Sequence, residues 1–191
     1  VHGKTAPRKL SRLADNNWTL TAVTFAPKIA TPTGLIARLG FSTDFEPGYT
    51  PTQYRYRVSA VSAETGEESL PSVYGEVIND LSIAGGINRL DWDAVPGADR
   101  YIVYKWDNGV YGYIGGTSAR SFEDENITPD LADTPQSARN PFTGAGNFPR
   151  CVSFVEQRLA FASTLNDPQA VWMSQSASYE NFGYSQPARL R

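Results

Sequence analysis

RYIVYKWDNGVYGYIGG, residues Arg100 to Gly116, carries the clearest structural instruction in the chain. Asn108 and Gly109 both tolerate positive φ, which a two-residue type I′ hairpin demands, and alternating apolar strands flank them. The register follows by stepping outward from the loop: Asp107 faces Val110, Trp106 faces Tyr111, Tyr104 faces Tyr113 and Ile102 faces Gly115. Side chains alternate with a period of two, so Tyr104, Trp106, Tyr111 and Tyr113 share one face while Tyr101, Val103 and Ile114 share the other. Both faces are apolar. A hairpin open to water on one side has a polar face, so this one is expected to be covered on both.

Similar patterns recur on either side of the hairpin. In QYRYRVSAVS, Tyr54, Tyr56, Val58 and Ala60 point one way and Arg55, Arg57 and Ser59 the other, which predicts a strand with one wet face. Ala63 to Gly66 make the next turn, and Ser72 to Ile78 are expected to return as the partner strand. Arg89 to Val95 places Leu90 and Trp92 inward and Arg89, Asp91 and Asp93 outward, before Pro96 and Gly97 turn the chain into the hairpin. Gly34 to Phe41 reads as a short strand, followed by a Gly-, Pro- and Asp-rich loop to Gln53. Ser121 and Phe122 close this unit, and the acidic stretch from Glu123 to Pro135 reads as a linker.

The flanks differ. Residues 1–17 are polar and basic and predict an extended lead-in, and Trp18 to Phe25 alternates as a β-prone strand ended by Pro27. Near the other end Val152 to Val155, Leu159 to Ala162 and Gln169 to Ser174 read as short strands, with Tyr179 to Phe182 as a turn with aromatic anchors. This meander is too small to stand alone. The expected solution is that the two flanks associate, with the central module inserted between them and its aromatic hairpin face resting on the flanks or on a neighbour.

The whole composition narrows the function classes. The chain has 191 residues, 40% hydrophobic and 19% charged, with a net charge of −3. That balance marks a globular chain and excludes a broad basic surface for nucleic acid. No apolar run approaches the roughly 18–20 residues of a membrane-spanning helix. The sequence starts at Val1 and ends at Arg191 without a terminating element, and is expected to be a piece of a longer protein. Cys151 is the sole cysteine, read as a buried thiol, and His2 is the sole histidine. A Ser-His-Asp, Cys-His or zinc site would therefore need His2 in the lead-in, so none is expected. Gly109, Gly112, Gly115 and Gly116 lie on a hairpin with no following helix to hold a phosphate. Glu123, Asp124, Glu125, Asp130 and Asp133 are the densest acidic group, read as a solvated linker, with a calcium site as the alternative. No cofactor is expected.

Two resemblances add to this. RLDW (Arg89–Trp92), RYIVY (Arg100–Tyr104) and YRYRVSAVSAETGEESLPS (Tyr54–Ser72) resemble the second, third and last two strands of a fibronectin type III module. Their order is rearranged, since the Tyr-rich segment comes first here. FPRCVSFVEQRLAFASTLNDPQAVWMSQSASYENF, residues 148–182, resembles a segment of large structural proteins of tailed bacteriophages and prophages, including tail nozzle or tail tubular proteins of short-tailed phages. The matching residues are Pro149 and Arg150 before a strand, Gln157, Arg158 and Leu159 at a turn, then Val171, Trp172, Ser174 and Phe182. The resemblance implies a β-propeller-like or meander body carrying inserted sandwich domains. It also implies a virion protein of tail or head-tail connection, made in the bacterial cytoplasm, whose partners are other virion proteins and copies of itself.

The combined expectation is an all-β chain. A seven-stranded immunoglobulin/fibronectin-like sandwich over residues 31–135 is inserted into a small discontinuous β-meander unit of residues 1–30 and 136–191. Its role is non-enzymatic and acts through protein-protein interfaces, without nucleic acid or a membrane span. The alternative is a carbohydrate-binding or adhesion module in a host-recognition or glycan-processing protein. Tyr104, Trp106, Tyr111 and Tyr113 serve either reading, and internal packing as well, because aromatic rings fill cores, anchor interfaces and stack on sugar C–H faces.

Overall fold

Alternation at period two, interrupted by Gly, Pro and Asx turns, gives a chain of short strands. The computed structural model describes residues 1–40, 50–137 and 140–183, and among these there is no helix. The strands are β1 (Arg8–Ala14), β2 (Asn17–Ala22), β3 (Ile36–Leu39), β4 (Thr52–Ser62), β5 (Gly75–Asn79) and β6 (Asn88–Asp91). They continue as β7 (Ala98–Asp107), β8 (Val110–Thr117), β9 (Ser121–Asp124), β10 (Cys151–Val155), β11 (Arg158–Ala162) and β12 (Val171–Met173). All sheets are antiparallel. Two compact units divide the chain: Val1–Lys28 with residues 140–183 of the C-terminal part, and Ile29–Ser137.

In the Ile29–Ser137 unit the sheets have the orders β3-β6-β9 and β5-β4-β7-β8. One core draws on both: Tyr56, Val58 and Ala60 from β4, Tyr101 and Val103 from β7, Ile114 from β8, and Leu90 with the neighbouring Trp92 from the other sheet. The β7–β8 turn has Asn108 at φ 47° and Gly109 at φ 91°, the positive values a type I′ loop requires. Trp106 faces Tyr111 and Tyr104 faces Tyr113, but Ile102 faces Gly116 rather than Gly115. A β-bulge opposite Val103 and Tyr104 causes the shift, and it leaves Ile114 and Gly115 as successive inward positions. Gly115 has to be small, since a Cβ there would lie 2.7 Å from the Phe122 ring that packs on the core.

Four other expectations for this unit are corrected. The outer face of β4 is not wet at Ser59, which is fully buried. The segment after β4 folds back over it, with Ser69 and Ser72 N–H donating to the Ala60 and Val58 carbonyls and their hydroxyls accepting from the Ala60 and Val58 N–H. The return strand accordingly starts later, at Gly75. The stretch from Glu123 to Pro135 is no linker. Its start belongs to β9, paired with β6, and Asp130 and Asp133 are tied by backbone hydrogen bonds to Tyr113 at 2.8–3.1 Å. The β3 strand is shorter than Gly34 to Phe41, and Phe41 lies outside the described residues, as does most of the loop before Gln53.

In the other unit, residues 8–14 form a strand instead of a lead-in and make a hairpin with β2, which ends at Ala22. β10, β11 and β12 form a meander. Phe25 meets Phe142, Phe161 and Phe182 edge to face at 5.2–5.9 Å, and these four rings are the buried core. The inward alternation runs past the end of β2, since Val23 packs against the cluster and Phe25 belongs to it while Thr24 is exposed. Cys151, expected as a buried thiol, is exposed at the start of β10.

Candidate functional site

The aromatic row of the hairpin is not one surface. Tyr104 is 1% exposed. Its hydroxyl donates to Glu68 Oε1 at 2.7 Å, and Ser59 Oγ donates to the same oxygen, so the folded-back segment covers this ring. Burial, and then the Glu68 charge, push the Tyr104 phenol far above its ordinary range. Trp106 and Tyr113 remain 39% and 36% exposed, with Tyr111 half-buried between them. Trp106 and Tyr111 meet at 4.9 Å with a 62° interplanar angle, and the Arg57 guanidinium lies 4.7 Å over the Tyr111 ring. Rings so tilted, with one face taken by a cation, do not make a flat platform for a sugar.

The Glu68 carboxyl is itself pushed upward, chiefly by burial, against the lowering effect of the Ser59 and Tyr104 hydroxyls. A group whose folded pKa exceeds its unfolded value stabilises most below the unfolded value and loses that contribution as pH rises through the folded one. The stability of the wild type relative to Glu68→Gln should therefore fall as pH is raised above about 4.5, the ordinary glutamate value. Denaturant titrations of both proteins across that range check it; a difference independent of pH would contradict the buried placement.

Of the motif residues Pro149, Arg150, Gln157, Arg158, Leu159, Val171, Trp172, Ser174 and Phe182, three are buried (Pro149, Ser174 and Phe182), whereas Arg150, Gln157 and Val171 are exposed. Pro149 is fully buried and the Arg150 N–H donates to the Ser163 carbonyl at 2.9 Å. Glu156 and Gln157, at φ 46° and 60°, form the tight turn into β11. Arg158 Nη1 donates to the Ser174 carbonyl at 3.0 Å. The Leu159 N–H donates to Ser174 Oγ at 2.9 Å, and Ser174 Oγ in turn donates to the Gln175 carbonyl at 3.0 Å. Leu159 and Trp172 pack against the phenylalanine cluster, of which Phe182 is a member. The motif is a scaffold: it fixes β11 to β12 and closes the core.

What this unit leaves outside is apolar. Every residue of β10 is exposed, Phe154 at 68%, and Val171 and Met173 on β12 are exposed as well. The β1–β2 hairpin presents Leu10, Leu20 and Trp18 on one face, with the Arg12 guanidinium 5.8 Å from the Trp18 ring centroid. Among the described residues β10 and β12 are also the edges of their sheet.

The acidic group, expected to be solvated, contains one residue of another kind. Asp124 is fully buried and pairs with Lys105 Nζ at 2.8 Å, itself 7% exposed. Asp124 Oδ2 also accepts from the Tyr56 hydroxyl at 2.7 Å, and Oδ1 from the Ile127 N–H at 2.7 Å. Asn88 Nδ2 donates to the Tyr56 oxygen and Asn79 Nδ2 to Asn88 Oδ1, extending the network across the unit. Burial, and then the Asp124 charge, raise the Tyr56 phenol well beyond its usual value. Sequence reading missed this network because Lys105 and Asp124 sit in patterns that also fit solvated positions. Among the described residues no group of three or more His, Cys, Asp or Glu is placed to hold a metal, and no helix is long and apolar enough to cross a membrane. Comparison with protein-family models, curated proteins and solved structures finds no match.

Proposed function

We propose that the chain is a non-enzymatic structural part of a phage or prophage virion, in the tail or its connection to the head, working through interfaces with other virion proteins and copies of itself. The observation that carries this reading is the exposed apolar edge of the Val1–Lys28 and C-terminal unit, above all β10 with Val152, Phe154 and Val155. Apolar strand edges of this extent are avoided by proteins that act alone, because they pair and aggregate. In a ring or tube, repeated copies multiply such contacts. The resemblance of residues 148–182 to a segment of phage structural proteins, read from the sequence, agrees with this reading. In the Ile29–Ser137 unit the sheet orders β3-β6-β9 and β5-β4-β7-β8 support a fibronectin type III-like sandwich of seven strands. In that reading β4 and β5, the last pair of the family, follow the first strand directly.

The test uses the full-length gene product and purified phage particles. Mass spectrometry should find the chain in the particles, and electron microscopy should find rings or tubes of the purified protein. Phe154→Asp, at an exposed position, should abolish those assemblies without moving the unfolding midpoint. Absence from particles, or a strictly monomeric protein, would defeat the proposal.

A further inference from the structure

A second surface, in the Ile29–Ser137 unit, has different chemistry. Where β7 and β8 run past the loop at residues 130–133, an open groove of about 500 Å3 is lined by Arg100, Ile102, Tyr113, Gly116, Thr117, Ser118 and Asp133. Its wall is held rigidly. The Tyr113 N–H donates to the Asp130 and Asp133 carbonyls, and the Asp130 N–H returns a bond to the Tyr113 carbonyl. Its floor is flat at Gly116, where an added Cβ would meet only the Tyr101 carbonyl at 3.5 Å and the Tyr113 hydroxyl at 3.9 Å. The bulge in β8 creates this floor by turning Gly116, in place of Gly115, to the side shared with Ile102.

The two charged groups of the groove are uncommitted, while the Thr117 hydroxyl already accepts from the Ala119 N–H at 3.0 Å. Among the described residues neither the Arg100 guanidinium nor the Asp133 carboxylate makes a hydrogen bond or ion pair, although Glu68 lies near enough to feel both charges. The groove thus sets a pure donor, Arg100, and a pure acceptor, Asp133, beside the two-way hydroxyl of Ser118 and the Thr117 O–H donor, with a half-open tyrosine ring and Ile102 for apolar contact. Among the lining side chains Arg100 and Asp133 carry one charge of each sign, with the Glu68 carboxyl close to both. A sugar ring answers that set: its hydroxyls donate and accept at once, and its C–H face packs on an aromatic side chain.

We propose that this groove is a binding site for a neutral saccharide, with Asp133 and Arg100 holding vicinal hydroxyls and Tyr113 packing on the ring. Trp106, the more prominent aromatic, is not part of it. Burial and the neighbouring Asp130 push the Asp133 carboxyl upward, as a partly enclosed acceptor would show.

The probe is an array of neutral mono- and oligosaccharides of glucose, galactose, mannose and N-acetylglucosamine, applied to the whole chain, with hits quantified by titration calorimetry. Binding is expected to weaken at least tenfold in Asp133→Asn and in Gly116→Val, a β-branched replacement that suits a strand and fills the floor. Trp106→Ala is expected to bind as the wild type does; near-ultraviolet circular dichroism should be unchanged in the two groove variants, and the thermal unfolding midpoint should stay near that of the wild type in all three. No neutral saccharide bound at millimolar concentration would overturn the proposal. So would retention of binding in both groove variants, loss only in Trp106→Ala, or binding confined to anionic sugars or free amino acids.

Discussion

Asp124→Ala is expected to cost the Ile29–Ser137 unit about 3–5 kcal/mol, the range for removing one partner of a buried ion pair. Among the described residues Lys105 would keep a single acceptor, the Ile127 carbonyl at 3.1 Å, and its ammonium would stay in a site that is 7% exposed. The Tyr56 hydroxyl and the Ile127 N–H would lose their acceptor in the same step. The penalty comes mostly from stranding these groups and only in part from lost attraction. Replacing both charges, as in Lys105→Met with Asp124→Leu, should recover only the share owed to the stranded ammonium, because the Tyr56 hydroxyl and the Ile127 N–H still lack their acceptor. Hydrogen exchange of the β4 and β7 amides measures the effect within this unit, so the other unit does not confuse the result. If the single variant costs under about 1 kcal/mol, Asp124 and Lys105 are open to water and the network is misplaced.

Phe142→Ala should be as damaging to the Val1–Lys28 and C-terminal unit, by about 3–5 kcal/mol. Phe142 is 2% exposed and touches Phe25, Phe161, Trp172 and Phe182 at centroid distances of 4.8–5.8 Å. No other ring among the described residues joins so many members of this core, and the unit has little else buried. Truncation leaves a cavity that the edge-to-face rings cannot fill without giving up their contacts with one another. Exchange protection in β11 and β12 should fall while β4 and β7 keep theirs. Phe142→Leu, which retains most of the volume, should cost distinctly less. Equal effects of the two substitutions would show that this ring is not the centre of the core.

The sequence was legible where local chemistry and burial agree. The Asn108–Gly109 loop dictates its own hairpin, and the inward sets Tyr56-Val58-Ala60 and Leu90-Trp92 follow from alternation alone. Alternation does not reveal a bulge, because one extra residue changes the register without changing composition, and Ile102 was assigned one position away from its partner. Nor does it reveal a cover built from distant residues. Ser59 looks like a surface position, and the cover expected over Tyr104 has no visible source, until Glu68 reaches both hydroxyls. The aromatic row was therefore visible as a pattern, but its division into one buried tyrosine and three more open rings was not. The groove was harder still, since Arg100, Gly116 and Asp133 belong to three segments that only the tertiary fold brings together. The basic lead-in formed a strand because it gained a partner in β2, which propensity at residues 8–14 does not disclose.

The division of the chain also sets the order in which it must be made. The four phenylalanines of one core are drawn from Phe25 and from Phe142, Phe161 and Phe182, so a ribosome has to deliver all of the Ile29–Ser137 unit before that core can close. Joining the ends of so long a flexible segment carries an entropic penalty that grows with the logarithm of its length. A guest that has already folded replaces the flexible segment with two anchored points, since Ile29 packs on its core and Gln136 is buried. The nascent protein thus matures from the middle outward, and until residue 182 leaves the exit tunnel its first strands wait without a core to join.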